Sequence, residues 1–175
     1  MAETDQNVSD MSSLAGKYLT FRLADEGYGI EILKVQEIIG LMNITHVPRT
    51  PVFIRGVINL RGKVIPVVDL RLKFGLDKKD DTERTCIIVV QVTQGDNTVV
   101  IMGIIVDEVS EVLDITADQI EPSPSFGAAV NTEFIMGMGK SAQKVVMLLD
   151  VDKVLSKGEI QVLAQSSKQD DNSNV

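Results

Sequence analysis

The pattern Gly-Ile-x-(Ile/Val)-x-x-Val-x-Glu-(Ile/Val) occurs twice in this chain, and a chain that repeats itself builds the same unit twice. Residues Gly29 to Ile38 align without gaps on Gly103 to Val112 at an offset of 74 residues, with four identities and two exchanges of Ile for Val. A second block follows at an offset of 81. There Phe53-Ile54-Arg55-Gly56 matches Phe134-Ile135-Met136-Gly137, and Lys63 to Leu70 matches Lys144 to Val151 with the Lys and Asp retained. Both blocks keep their order, which implies two similar β-lobes, roughly 17–75 and 84–155, related by a pseudo-two-fold axis. Lobes of this size bury too little apolar surface to stand alone, so they are expected to pack together or exchange strands. Either solution leaves a seam, and seams are where partners bind.

The local pattern is mostly strand. Leu19, Phe21 and Leu23 alternate with Tyr18, Thr20 and Arg22, which places one face on a core. Ala24 to Gly27 reads as a turn into Tyr28–Ile32, and Gly56–Leu60 and Lys63–Val68 are joined by the tight Arg61-Gly62 turn. Arg84–Val92 and Thr98–Val106 are Ile/Val-rich without alternation, as in strands covered on both faces. Phe134–Met138 and Lys144–Leu149 make a last pair, and Lys157–Gln165 is expected to close the chain as a helix. Thr116–Thr132, with two prolines, is a long irregular stretch. Residues 1–16 and 166–175 are polar and small, and are expected to be disordered tails flanking an ordered 17–165.

Charge and residue counts narrow the function. Seventeen lysines and arginines against 25 aspartates and glutamates leave a net charge of −8, and aromatics are only 4%. A protein that neutralises phosphates shows the opposite excess, so nucleic acid is not the expected partner. One cysteine and one histidine, Cys86 and His46, cannot supply a structural zinc site, a disulfide or a thiol nucleophile with its base. Neither a basic, apolar leader nor a run of 18 apolar residues is present, so no membrane insertion is expected, and the thiol count fits a reducing cytosol.

Few residues could carry chemistry. Asp69 and Asp150 hold matching places in the two halves, so a pseudo-dyad could join them as two carboxylates sharing one proton in a hydrolase. Each also precedes a short helical pattern, where a carboxylate caps free N–H groups. The glycines form no phosphate loop, and the stretch Asp77–Asp81 lacks the alternating ligands of a calcium loop. Met102, Met136, Met138 and Met147 can fill a core or form an adaptable binding surface. Arg61 is either a solvated turn residue or a polar anchor held out from a rigid hairpin, with Glu37 as its ionic neighbour.

Three segments carry a resemblance to a known family: Tyr28 to Ile38; Thr50 to Gly62 with its Asn-Leu-Arg-Gly ending, followed by Ile65-Pro66-Val67-Val68-Asp69-Leu70-Arg71; and Gly103 to Val112. With these the chain resembles the CheW-type chemotaxis coupling proteins over about 17–165. The resemblance implies two SH3-like five-stranded β-barrels with a few short helices, no enzymatic activity and no cofactor or metal. It implies a cytoplasmic adaptor, recruited to the inner-membrane receptor array, that joins chemoreceptor cytoplasmic tips to the regulatory domain of the histidine autokinase CheA. Contacts between copies in a ring are also implied. Carried over residue by residue, receptor contacts fall on Val35, Glu37, Gly56 and Arg61, with Ile38 and Val112 beside them; Gly56 is expected to let a partner's backbone approach closely. The kinase contact falls on Phe126, although Ser125 departs from the acidic residue expected there.

Overall fold

A computed structural model of the chain describes residues 12–95, 97–122, 133–155 and 159. The first repeat supplies β1 (Gly16–Leu23), β2 (Glu26–Glu31), β3 (Val35–Gly40), β4 (Ile54–Leu60), β5 (Lys63–Asp69) and the single-turn helix α1 (Leu70–Lys73). The second supplies β6 (Cys86–Thr93), β7 (Val99–Val106), β8 (Glu108–Ile115), a two-residue β9 (Ile120–Glu121), β10 (Ile135–Ser141), β11 (Lys144–Leu149) and the single-turn helix α2 (Val151–Val154).

Strand order shows how two small lobes obtain one adequate core. One sheet runs β8-β1-β2-β11-β10-β9 and the other β3-β6-β7-β5-β4. The two orders are the same under the repeat, with β1 matching β6, β2 matching β7, β3 matching β8, β4 matching β10 and β5 matching β11. The leading hairpin of each repeat therefore sits in the other repeat's sheet. Each exchanged hairpin is held by a parallel ladder, β2 on β11 and β7 on β5, and the registers agree: Gly29 lies opposite Leu148 and Gly103 opposite Val67. Both glycines are tight against the neighbouring strands. A Cβ on Gly103 would come within 2.7 Å of Ile87 Cγ2, and one on Gly29 within 3.2 Å of Val146 Cγ1.

The exchange buries both faces of the hairpins. Leu19, Phe21, Leu23 and Ile30 meet Ile88, Val90, Val92, Met102 and Ile104 in a core shared by the two sheets. Ile58, Ile65, Val67, Ile87, Val89 and Ile105 fill one barrel, and Tyr18, Ile115, Ile120, Val146 and Leu148 the other. The solvent face expected from the alternation in β1 is thus occupied too: Tyr18 is 1% exposed and Thr20 is 5% exposed. Thr20 is satisfied at a bulge, its hydroxyl donating to Glu111 O at 2.7 Å and accepting from Glu111 N at 3.1 Å.

Closure also follows the repeat. The chain leaving β3 bridges β4 at Thr45 and Val57, and the chain leaving β8 pairs with β10 through β9, Glu121 opposite Met138. The change of offset from 74 to 81 falls in that second, longer connection. Met102 is in the shared core and Met136 and Met147 pack against the clusters, so these methionines fill space. The helix expected at 157–165 and the tail 166–175 fall outside the described residues, save Glu159. At the other end, Leu14 packs on the Tyr18 cluster, ahead of the strand that begins at Gly16.

Tyr18 reports on this packing. Its hydroxyl donates to Leu14 O at 2.6 Å, and burial, aided by the Glu31 carboxylate, pushes its pKa up to about 12. The folded protein keeps this proton where the unfolded chain, ionising near pH 10, gives it up. The resulting stability is complete below pH 10 and declines as pH rises from 10 to 12, by up to about 1.4 kcal/mol per pH unit. Urea titrations at pH 9, 10.5 and 11.5 should show this decline, and Tyr18→Phe should remove that part of the slope.

Candidate functional site

The β4–β5 hairpin turns in two residues, and both adopt the positive φ of a type I′ turn. Arg61 is at φ 53° and Gly62 at φ 87°. An arginine has no intrinsic preference for this region. Asn59 supports the turn by accepting from Gly62 N on its Oδ1 at 2.8 Å. Across the barrel mouth, β3 offers Glu37, and the guanidinium meets the carboxylate through both nitrogens: NH1 to Oε1 at 2.9 Å and NH2 to Oε2 at 2.8 Å. The Arg61 side chain remains 76% exposed and that of Glu37 25%. A pair so open to water adds at most about 1 kcal/mol to folding. Its consequence is geometric: two contacts fix a long side chain that would otherwise sweep a wide arc.

Register separates the other predicted residues from this pair. Glu37 lies opposite Val89 and Ile39 opposite Ile87, both inside the barrel, whereas Ile38 lies opposite Ile88 on the face of the shared core. A bulge between Val35 and Glu37 puts Val35, opposite Val90, on the Ile38 face. Val35 packs against the shared core, while Ile38 is 45% exposed at its margin. Val112 is the counterpart of Ile38. It lies opposite Leu19 on the other sheet and is 49% exposed. β3 and β8 are edge strands of different sheets, so Val112 shares no ladder with Glu37 and Arg61. Phe126 lies outside the described residues.

Two expectations require correction. Gly56 offers no open approach for a partner, because this chain already uses the space: the residue is buried, and a Cβ would lie 2.1 Å from Thr45 O. With φ 145° at the β4–β5 bulge, it permits the strand to pass beneath the Thr45 bridge. The aspartate pair dissolves as well. Asp69 Oδ1 accepts from Arg71 N and Leu72 N at the start of α1, and Asp150 Oδ1 accepts from Asp152 N at the start of α2. Their own N–H groups donate to Phe53 O and Phe134 O, again in matching fashion. Each carboxylate is a cap, fixed on its own helix.

Sequence reasoning missed two triads that clamp the halves together. Asp107 accepts from Ala24 N at 2.7 Å and pairs with Arg71, while Asp152 accepts from Thr93 N at 2.8 Å and pairs with Lys34 at 2.9 Å. Charge polarity is reversed between them: the helix supplies the cation in one and the anion in the other. That reversal hid them from a search for identical residues. Asn59 was also missed, although an Asn three residues before a turn glycine is a known local acceptor pattern.

A double barrel that exposes Arg61, Ile38 and Val112 of its predicted binding residues, and whose aspartates cap helices, is a scaffold for contacts. Comparison with known proteins makes that class particular. The CheW-like domain model matches residues 17–159. Chemotaxis protein CheW of Klebsiella aerogenes is 40% identical over 166 residues, covering 92% of this chain and 97% of that protein. Chemotaxis protein CheW of Helicobacter pylori is 36% identical, covering 81% and 82%. The crystal structure of the scaffolding protein TtCheW from Thermoanaerobacter tengcongensis superposes with a TM-score of 0.73 at 36% identity, covering 83% of this chain and 96% of that one. The chain belongs to the CheW-like family. It is a non-enzymatic chemotaxis coupling adaptor with the SH3-like double-barrel fold, and the hydrolase alternative falls.

The position of Gly56 gives a direct test. Gly56→Ala must displace the Thr45 carbonyl and hold alanine at a strained φ, which should cost about 3 kcal/mol in urea unfolding. Gly40→Ala, with nothing within 4 Å of the added Cβ, should stay within about 0.5 kcal/mol of the parent.

Proposed function

We propose that this adaptor couples the cytoplasmic tips of chemoreceptors to the regulatory domain of the histidine autokinase CheA, and helps assemble receptor–kinase arrays, including contacts between its own copies. The observation that carries the reading is the doubly bonded Glu37–Arg61 pair. It holds a guanidinium out from a rigid turn, while Ile38, the next residue of β3, is an exposed apolar side chain on the strand's other face. A receptor hairpin offers the complement, with apolar side chains for Val35 and Ile38 and a carboxylate or carbonyl for Arg61. Val112 extends this contact on the other sheet, and Gly56 acts on it from beneath by letting β4 pass under Thr45. The kinase contact is assigned to Phe126.

Recruitment to the inner-membrane array then comes through the receptors. Among the described residues no helix is long and apolar enough to cross a membrane. Each patch is small, so single contacts are weak and the assembled lattice supplies the avidity.

Pull-downs and calorimetry with a receptor cytoplasmic fragment and, separately, the kinase regulatory domain test the assignment. Arg61→Asp sets a like charge against Glu37 and should weaken receptor binding about tenfold, while Tm stays close to the parent because the residue is exposed. Phe126→Ser should weaken only the kinase. Normal receptor binding by Arg61→Asp would remove Arg61 from the contact.

A further inference from the structure

The repeat supplies a second barrel mouth, and the two mouths are finished differently. In the first, Glu37 is covered by Arg61, and Leu60 and Ile101 pack against the barrel core behind the pair. In the second, the counterpart of Glu37 is Glu111, that of Arg61 is Ala142, that of Leu60 is Ser141 and that of Ile101 is Gly27. The first turn residue keeps its backbone conformation, Ala142 at φ 54° against Arg61 at φ 53°, whereas Gly62 at φ 87° is replaced by Gln143, which is not at positive φ. The side chains have been withdrawn, and a cleft of about 410 Å³ stands in their place, lined by Gly27, Glu111, Ser141, Lys144 and Val145 among others.

The cleft is suited to a cation with an apolar stem. Glu111 is exposed and, among the described residues, its carboxylate forms no hydrogen bond or ion pair, either with Arg22 or with Lys144, which also line the cleft. Asp25 and Glu26 add two more carboxylates to the lining, giving three acids against two bases. Val145 is 55% exposed beside them, an apolar wall for a methylene chain. Thr20 and Glu111 are tied together through the bulge, so the strand presenting the carboxylate is fixed.

We propose that this cleft is a second docking site, which takes an arginine presented on the turn of a partner protein, its guanidinium pairing with Glu111 as Arg61 pairs with Glu37 inside the chain. The internal copy is the template for the complex: a carboxylate at the same position of a matching barrel mouth, with the arginine supplied from outside. The site is distinct from the Glu37–Arg61 pair that carries the receptor reading, because the two mouths belong to different barrels, and Val112 points to the other face of β8 from Glu111. The proposal therefore stands or falls separately from the coupling role.

The probe is a cyclised hairpin peptide with the sequence of residues 58–64, Ile-Asn-Leu-Arg-Gly-Lys-Val, titrated into the full chain while backbone amide shifts are followed by NMR. Shifts should concentrate at Glu111, Ser141 and Val145, weaken with added salt, and vanish when the peptide's arginine is replaced by alanine. Glu111→Gln should reduce affinity about fivefold, as expected for an exposed charge pair. Ala142→Arg should abolish binding by filling the cleft from within, as Arg61 does in the other barrel. Equal affinity for Glu111→Gln and the parent, shifts centred on Glu37, or no shifts at all would overturn the proposal. So would self-association of the parent that Glu111→Gln removes, because the occupant would then be a second copy of this chain.

Discussion

Each repeat is too small to bury a stable core, and the exchange of leading hairpins is how the chain meets that constraint. A hairpin lent to the other sheet has one face inside the host barrel and the other against the hairpin it replaced, so β1, β2, β6 and β7 are enclosed on both sides. The parallel ladders β2–β11 and β5–β7 then become the places where the halves are stitched. Neither barrel can open without breaking strands that belong to the other repeat. Gly29 and Gly103 sit at those seams because a side chain there meets packed neighbours. The glycines retained in the repeat are thus a consequence of the exchange.

Pseudo-symmetry is kept in the backbone and abandoned in the charges. The bulges at Gly56 and Gly137, the turns at Arg61 and Ala142 and the caps at Asp69 and Asp150 recur in place. Side chains that meet water or cross between halves diverge. Arg71–Asp107 and Lys34–Asp152 serve matching corners with opposite polarity, and Arg61 has no cationic counterpart. Backbone features are constrained by hydrogen bonding that each barrel needs equally, whereas rim side chains carry no such constraint and diverge. The result is a molecule with two similar halves and two dissimilar mouths.

Both repeat offsets, the Arg61–Glu37 pairing, the capping role of the aspartates and the strands other than β3, β8 and β9 were legible in the sequence, because each depends on local pattern or on self-comparison. The exchange itself was left open, since β1 on β8 and β1 on β3 satisfy the same alternation. The alternation of β1 also predicted one dry face, where Tyr18 and Thr20 show two. That difference follows from closure: a residue facing the interior of a barrel is buried whatever its polarity, so a polar threonine there has to find a partner at a bulge. The space at Gly56 was misread for a related reason. Glycine at a strand bulge signals close backbone approach, but the sequence does not say whose backbone, and here it is Thr45 of the same chain.

For a protein that acts by contact, rigidity of the presenting element decides how much of the contact energy survives ordering. Arg61 illustrates the economy of a β scaffold. Its backbone is fixed by a two-residue turn, the turn is tied by Asn59, and the guanidinium is held by Glu37 at two points. A free arginine surrenders about 2 kcal/mol of side-chain freedom on binding; one already held surrenders less. The pair adds little to folding because it is exposed, and exposure is the condition for a partner to reach it. A buried version would lose its attraction to the cost of desolvating both charges and would leave nothing for a partner to reach, so in the proposed receptor contact the weak contribution to stability and the accessibility of Arg61 have the same physical origin.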